Sequence, residues 1–153
     1  MPVISIDPGP PEKSGLVVLS SPLSVTHWML CPNEEILAYL RDYPAHLGHP
    51  LVIEKVTSHG MPMANTTLDT VFESGRFAEA YGGPVHRITR STVRAHICKS
   101  MKANDSTVRM EILNRFGGRA AALGTVKNPG PLHGFSSDLW SAIALGITFL
   151  ETR

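Results

Sequence analysis

Apolar and polar positions follow a strand period at the start of the chain and a helical period later. Residues 3–7 read as a strand, because Val-Ile-Ser-Ile is β-prone and ends at the turn signal Asp7-Pro8-Gly9. Residues 15–20 and 25–30 are a second and a third strand, with Ser21-Pro22 as the turn between them. Connections this short favour an antiparallel meander. The period then changes. Pro32-Asn33 opens a helix through about Tyr43, with Asn33 as its N-cap and Glu34 and Glu35 in its first turn. Ile36, Leu37 and Leu40 form its buried stripe. Residues 51–54 make a short apolar strand, expected to be buried on both faces. A helix from about Thr66 to Tyr81 stops at Gly82-Gly83-Pro84, and residues 85–88 are a fifth strand.

The second half reads as helical. Ser91 is placed to cap a helix through Cys98. Asp105 is placed to cap another, with Val108, Ile112 and Phe116 on one face and Gly117-Gly118 as the stop. A Gly- and Pro-rich loop over residues 124–135 leads to a last helix, capped by Ser136 or Ser137. Leu139, Ile143, Ile147 and Leu150 form its apolar face. Three meander strands followed by strands alternating with helices predict a mixed α/β sheet with right-handed crossovers.

With 153 residues, 42% of them hydrophobic and 18% charged, the chain suits a single domain over residues 1–153. The longest apolar run, residues 142–150, is too short to span a bilayer, and the first residues lack the pattern of a signal peptide. Two cysteines, Cys31 and Cys98, make neither a disulfide framework nor a zinc site. The expectation is a soluble, cytoplasmic protein with reduced thiols and no membrane partner. A net charge of +1 excludes binding to nucleic acid by bulk charge alone. The distribution is uneven, however. Between Arg87 and Arg119 eight bases face only Asp105 and Glu111. Such a window is either a solvated helix surface or a face that tracks phosphates.

Three acids stand at unusual places. Asp7 ends the first strand and shares a face with Val3 and Ser5. Glu54 ends an otherwise apolar strand, where an acid is costly unless paired or bound to a cation. Asp138 lies in the first turn of the last helix. Singly, each has a plain explanation: a turn residue, a partner for a surface base, and a charge at a helix N-terminus. If the first and fourth strands are neighbours, Asp7 and Glu54 lie side by side and Asp138 can join them. Convergent carboxylates repel one another and call for hard cations such as Mg²⁺ or Mn²⁺. Two ions about 3.5–4 Å apart would activate a water and stabilise the leaving oxygen of a phosphodiester. Phosphate-binding Gly-rich loops, nucleophile elbows and zinc-ligand spacings do not occur.

Several segments resemble the RuvC-type Holliday junction resolvases (crossover junction endodeoxyribonucleases). Ile4-Ser5-Ile6-Asp7-Pro8-Gly9 with Ser14-Gly15-Leu16-Val17 is similar to that family's opening, and Leu51-Val52-Ile53-Glu54-Lys55-Val56 to its second acidic motif. Ser74-Gly75-Arg76 lies in a helix like the long one that follows that motif. Val93-Arg94 falls where the family carries a basic residue. Lys102-Ala103-Asn104-Asp105-Ser106 and Asn114-Arg115-Phe116-Gly117 resemble phage-encoded members. Ser137-Asp138-Leu139-Trp140-Ser141-Ala142 resembles the final motif, with one departure: Ser141 stands where a second acid is usual.

The resemblance covers nearly the whole chain. It implies an RNase H-like fold, with a mixed five-stranded sheet of meander and parallel strands flanked by helices. It implies a divalent-metal-dependent endodeoxyribonuclease that resolves four-way junctions by symmetric nicking, active in the cytoplasm of a cell or of a phage host. Asp7, Glu54 and Asp138 would be catalytic. With Ser141 they would hold Mg²⁺ or Mn²⁺, two ions per site, and Ser141 would contribute a hydroxyl but no charge. Lys55, Arg94, Lys99 and Lys102 would contact DNA. His133 is read as a core or surface histidine rather than a further ligand. Residues 57–63, with Met61 and Met63, would face the junction centre or form a plain surface loop. A homodimer would pair through the helix after Glu54, using Val71, Phe72 and Phe77. Competing expectations are an RNase H-like nuclease for flaps, other branched DNA or RNA, and a junction binder with a degraded site.

Overall fold

The computed structural model describes residues 1–9, 13–58 and 60–153. Its centre is a five-stranded sheet in the order β3-β2-β1-β4-β5. The strands are β1 (Val3–Asp7), β2 (Ser14–Ser21), β3 (Ser24–Cys31), β4 (Leu51–Lys55) and β5 (Val85–Thr89). β1 pairs antiparallel with β2, and β2 with β3, as the short turns require. β4 runs parallel to β1, and β5 parallel to β4. The expected mixed RNase H-like sheet is therefore what the chain forms.

Side-chain alternation divides the sheet into two faces. Ile4, Ile6, Leu16, Val18, Leu51 and Ile53 point to one side. They meet Ile36, Leu37 and Leu40 of α1 (Asn33–Asp42) and Phe77 and Tyr81 of α2 (Asn65–Tyr81). Val3, Val17, Leu19 and Val52 point to the other. They are covered by α3 (Arg90–Cys98), α4 (Asp105–Arg115), α5 (Arg119–Leu123) and above all α6 (Asp138–Thr152). Helix α6 is buried along most of its length, from Leu139 to Phe149. It crosses β1 and β2 closely enough that a Cβ on Gly146 would lie 2.7 Å from Leu19 Cδ1 and 2.8 Å from Ser5 Oγ. Beneath it the buried Ser5 donates to Val17 O at 3.3 Å.

Local chemistry differs from the expected caps. Pro32, not Asn33, occupies the N-cap of α1, and Asn33 is buried in the first turn. Its Oδ1 accepts a 2.7 Å hydrogen bond from Ser14 Oγ, which accepts from Gly9 N–H at 2.8 Å. A side chain used to tie α1 to the loop after β1 is not free to cap. Thr89 rather than Ser91 caps α3, and its hydroxyl accepts from Thr92 N–H. Asn104 rather than Asp105 caps α4, in a reciprocal capping box with Thr107. Ser137 holds the N-cap position of α6 with φ of 50° and no side-chain cap bond. The short helix α5 lies between the expected glycine stop and the Gly- and Pro-rich loop. It forms because Ala122 is fully buried against the α6 side.

Aromatic rings tie the start of α6 to the sheet edge. Phe135, just before α6, makes edge contacts with Trp28 on β3 at 5.5 Å and with Trp140 on α6 at 5.6 Å. The guanidinium of Arg109 on α4 lies over the Trp140 ring at 5.2 Å.

Candidate active site

The parallel ladder of β1 and β4 sets Ile6 against Ile53, so the next residues, Asp7 and Glu54, stand side by side at the strand ends. Both belong to the face covered by α6, since Asp7 alternates with Val3 and Ser5, and Glu54 with Val52. Asp138 comes from above as the first residue of α6. Its backbone rests on Gly15 of β2, where a Cβ would meet the Asp138 carbonyl carbon at 2.8 Å and its oxygen at 2.9 Å. Only glycine admits this approach, so the neighbour of β1 in the meander sets the height of the third acid.

The three acids share one open cleft of about 390 Å³, lined also by Lys55, Thr57, Thr67, Thr70 and Arg90. Asp7 is the most enclosed, at 6% exposure. Its carboxyl is held well above the ordinary range, first by burial, then by the charges of Glu54 and Asp138. Arg90 and a hydrogen bond from the Ser141 hydroxyl act against that rise. Asp138 is also raised, mainly by burial, with Lys13 and Arg90 opposing and Glu54 adding to the effect. Ser141 thus lines a cleft with the first acid, although it brings no charge.

Sequence reasoning counted Arg90 only as one base among eight. The structure makes it central. Its Nε donates to Glu54 Oε1 at 2.7 Å and its Nη2 to Oε2 at 3.3 Å, a two-pronged pair. The signal was its position: Thr89 is the last residue paired to β4, opposite Lys55, so Arg90 emerges one step beyond the ladder. Asp105 was also missed. It pairs with Arg94 at 3.1 Å and lines a second cleft of about 600 Å³ with Asp7, Arg90, Asp138 and Ser141.

The expected DNA contacts separate into two groups. Lys55 is exposed on the rim of the acid cleft, and Arg94 is paired with Asp105. Lys99 and Lys102 are exposed beyond the C-terminus of α3. That is roughly 13 Å along the helix from Arg90 at 1.5 Å per residue. His133 is an exposed loop residue whose Nδ1 lies 3.0 Å from Leu123 O. Of the 57–63 loop, Met61 is 71% exposed, and His59 lies outside the described residues. Phe77 is not a surface residue, as its fully buried ring belongs to the core. Val71 and Phe72 are exposed on α2 as expected.

No family model matches the sequence, and no curated protein matches it. Solved structures do. The Thermus thermophilus RuvC structure superposes with a TM-score of 0.69 over 97% of this chain and 92% of the other, at 17% identity. The chain has the RuvC fold. The structure of T. thermophilus RuvC in complex with Holliday junction substrate gives a TM-score of 0.70 at the same identity and coverage. The RuvC likeness takes in nearly the whole chain.

Hard carboxylate oxygens and an unbalanced negative charge at Asp7 fit a divalent cation. The fit is looser than a closed cage. Among the described residues no three His, Cys, Asp or Glu side chains approach closely enough to form a metal-binding group. Arg90 takes up both oxygens of Glu54 instead.

Proposed function

We propose that this protein is a divalent-metal-dependent, structure-selective DNA endonuclease that resolves four-way junctions as a homodimer. The observation that carries the reading is the β1–β4 register, which sets Asp7 beside Glu54 at the strand ends, with Asp138 above them in one cleft. The RuvC fold, seen elsewhere with a Holliday junction bound, favours branched DNA over other phosphodiesters.

Asp7, Glu54 and Asp138 would hold Mg²⁺ or Mn²⁺, which supplies an activated water and stabilises charge on the leaving oxygen. The chain's own residues do the rest. Ser141, which lines a cleft with Asp7, would donate to it and orient its carboxylate. Arg90 does the same for Glu54. Lys55 on the rim meets the phosphate backbone, giving affinity and salt dependence rather than sequence choice. The exposed Val71 and Phe72 on α2 offer an apolar patch for a twofold partner, presenting two sites to opposing strands.

The test is cleavage of an end-labelled four-way junction with Mg²⁺, Mn²⁺ or EDTA, beside duplex and flap controls. Paired symmetric nicks that require metal and vanish in Asp7→Asn are expected. Cutting that prefers flaps would move the reading to another RNase H-like nuclease. Junction binding without cuts under either metal would make the protein a binder with a lapsed site.

A further inference from the structure

The position of Arg90 bears on how many cations the site can accept. Asp7, Glu54 and Asp138 carry three negative charges when ionised. A guanidinium cannot give up its proton in a protein, so Arg90 contributes a permanent positive charge. It is fixed in place from two directions. Its backbone leaves the β4–β5 ladder one residue earlier, and Thr89 caps the helix it begins. Its side chain grips both oxygens of Glu54. Arg90 borders the cleft of the three acids, the second cleft beside Asp105, and a cavity of about 30 Å³ beneath them, and Asp7 lines all three as well. The guanidinium therefore borders every cleft that Asp7 lines, while its outer side stays exposed. Asp105 and Arg94, the next pair outward, cancel each other. For the three acids and Arg90 the remaining charge is minus two, which a single divalent ion neutralises, and Lys13 acting on Asp138 and Lys55 on the cleft wall lower it further. Ser141 adds no negative charge to that count.

We propose that Arg90 stands in for one cation, so that each chain takes up one divalent ion rather than two. This rests on the metal-dependent reading above and replaces its expected second ion with a side chain. Arg90 is a positioning residue in this account: it acts by neutralising and orienting Glu54. In RNase H-like geometry it also provides a charge that is present before any metal binds.

Mn²⁺ binding to the purified full chain without DNA tests this, with free Mn²⁺ counted by its paramagnetic resonance signal and heats measured by titration calorimetry. One ion per chain is expected for the wild type, and none at the same concentrations for Asp7→Asn. Arg90→Gln keeps a hydrogen-bond donor and loses the charge, so it should bind the first ion about tenfold tighter or admit a second. Arg90→Lys, which keeps the charge, should stay at one. Ser141→Asp combined with Arg90→Gln restores four net negative charges and should bind two. Thermal melts in EDTA confirm that each variant is folded. If Arg90→Gln does not fold, the comparison of wild type, Arg90→Lys and Ser141→Asp decides, with one ion expected in each. Two ions in the wild type, lost in Asp7→Asn, would overturn the inference and leave the nuclease reading intact. Unchanged or weaker Mn²⁺ binding in folded Arg90→Gln would also overturn it. No Mn²⁺ uptake by the wild type would overturn both.

Discussion

Asp7 lies under the repulsion of two other acids in a place water barely reaches, and its carboxyl is raised accordingly. A carboxyl whose folded value lies above its unfolded one stabilises the fold most below the unfolded value. That contribution is lost as pH climbs through the folded value. Without metal, the fold should therefore weaken as pH rises above the ordinary 3.8 of an aspartate. Asp7→Asn should remove that loss. We expect its melting temperature in EDTA at neutral pH to exceed that of the wild type by at least ~2 °C, about 1 kcal/mol for a chain of this size. The gap should close at acid pH. Scanning fluorimetry across a pH series reads both, and an equal or lower Tm for Asp7→Asn at neutral pH would contradict the electrostatic account. The same substitution should abolish cutting, so stability and activity move in opposite directions at one residue. The sequence already marked Asp7 and Glu54 as unusual, because acids that close apolar strands have few cheap environments. It did not show Arg90, since a base next to a strand end looks the same as a solvated one until the partner strand is known.

At the level of elements, position is set by close approach as much as by hydrogen bonding. The period of apolar residues placed all five strands and five of the helices to within a residue or two at most ends. It missed the caps because Asn33, Ser91 and Asp105 have the right chemistry one residue or more away from the real boundary. It missed α5 because a single turn or so of alanines carries no period. Where a contact is between backbones, sequence shows only a glycine. Gly15→Ala would drive a Cβ into the Asp138 backbone, and neither strand nor helix can yield cheaply. The expected cost is about 1–3 kcal/mol, as for overpacking elsewhere. It should appear as a Tm lower by several degrees and a cutting rate reduced at saturating metal, because Asp138 is lifted from its place. Asn104→Ala tests a milder case. Loss of the α4 capping box should cost about 1 kcal/mol by chemical denaturation.

Across the whole molecule, a second electrostatic junction works opposite to the first. Glu151 near the end of α6 meets His96 of α3 at 2.8 Å and Arg115 of α4 at 2.7 Å, joining three helices on the covered face. Burial raises its carboxyl, but the hydrogen bonds from His96 and Arg115 outweigh that and hold it below its ordinary value. Its contribution is therefore present above the unfolded value and lost as pH falls through the folded one. Glu151→Gln should lower Tm at neutral pH by roughly 2–4 °C, equivalent to about 1 kcal/mol. The difference from wild type should shrink in acid, and a difference independent of pH would argue for packing instead. Asp7 and Glu151 thus tilt the stability profile in opposite senses from the two ends of α6.

Both tryptophans of the chain, Trp28 and Trp140, touch the same phenylalanine just before α6. One of them also carries the Arg109 guanidinium on its ring. Indole emission responds to the polarity and charge around the ring, so the protein's intrinsic fluorescence is generated almost beside Asp138. Engagement of Arg109 by a phosphate, or a shift of α6 as the acids take up an ion, would alter that emission without any attached dye. The wild-type chain therefore carries its own optical reporter, through which the proposed ion uptake and DNA docking would be timed separately from the proposed strand cutting.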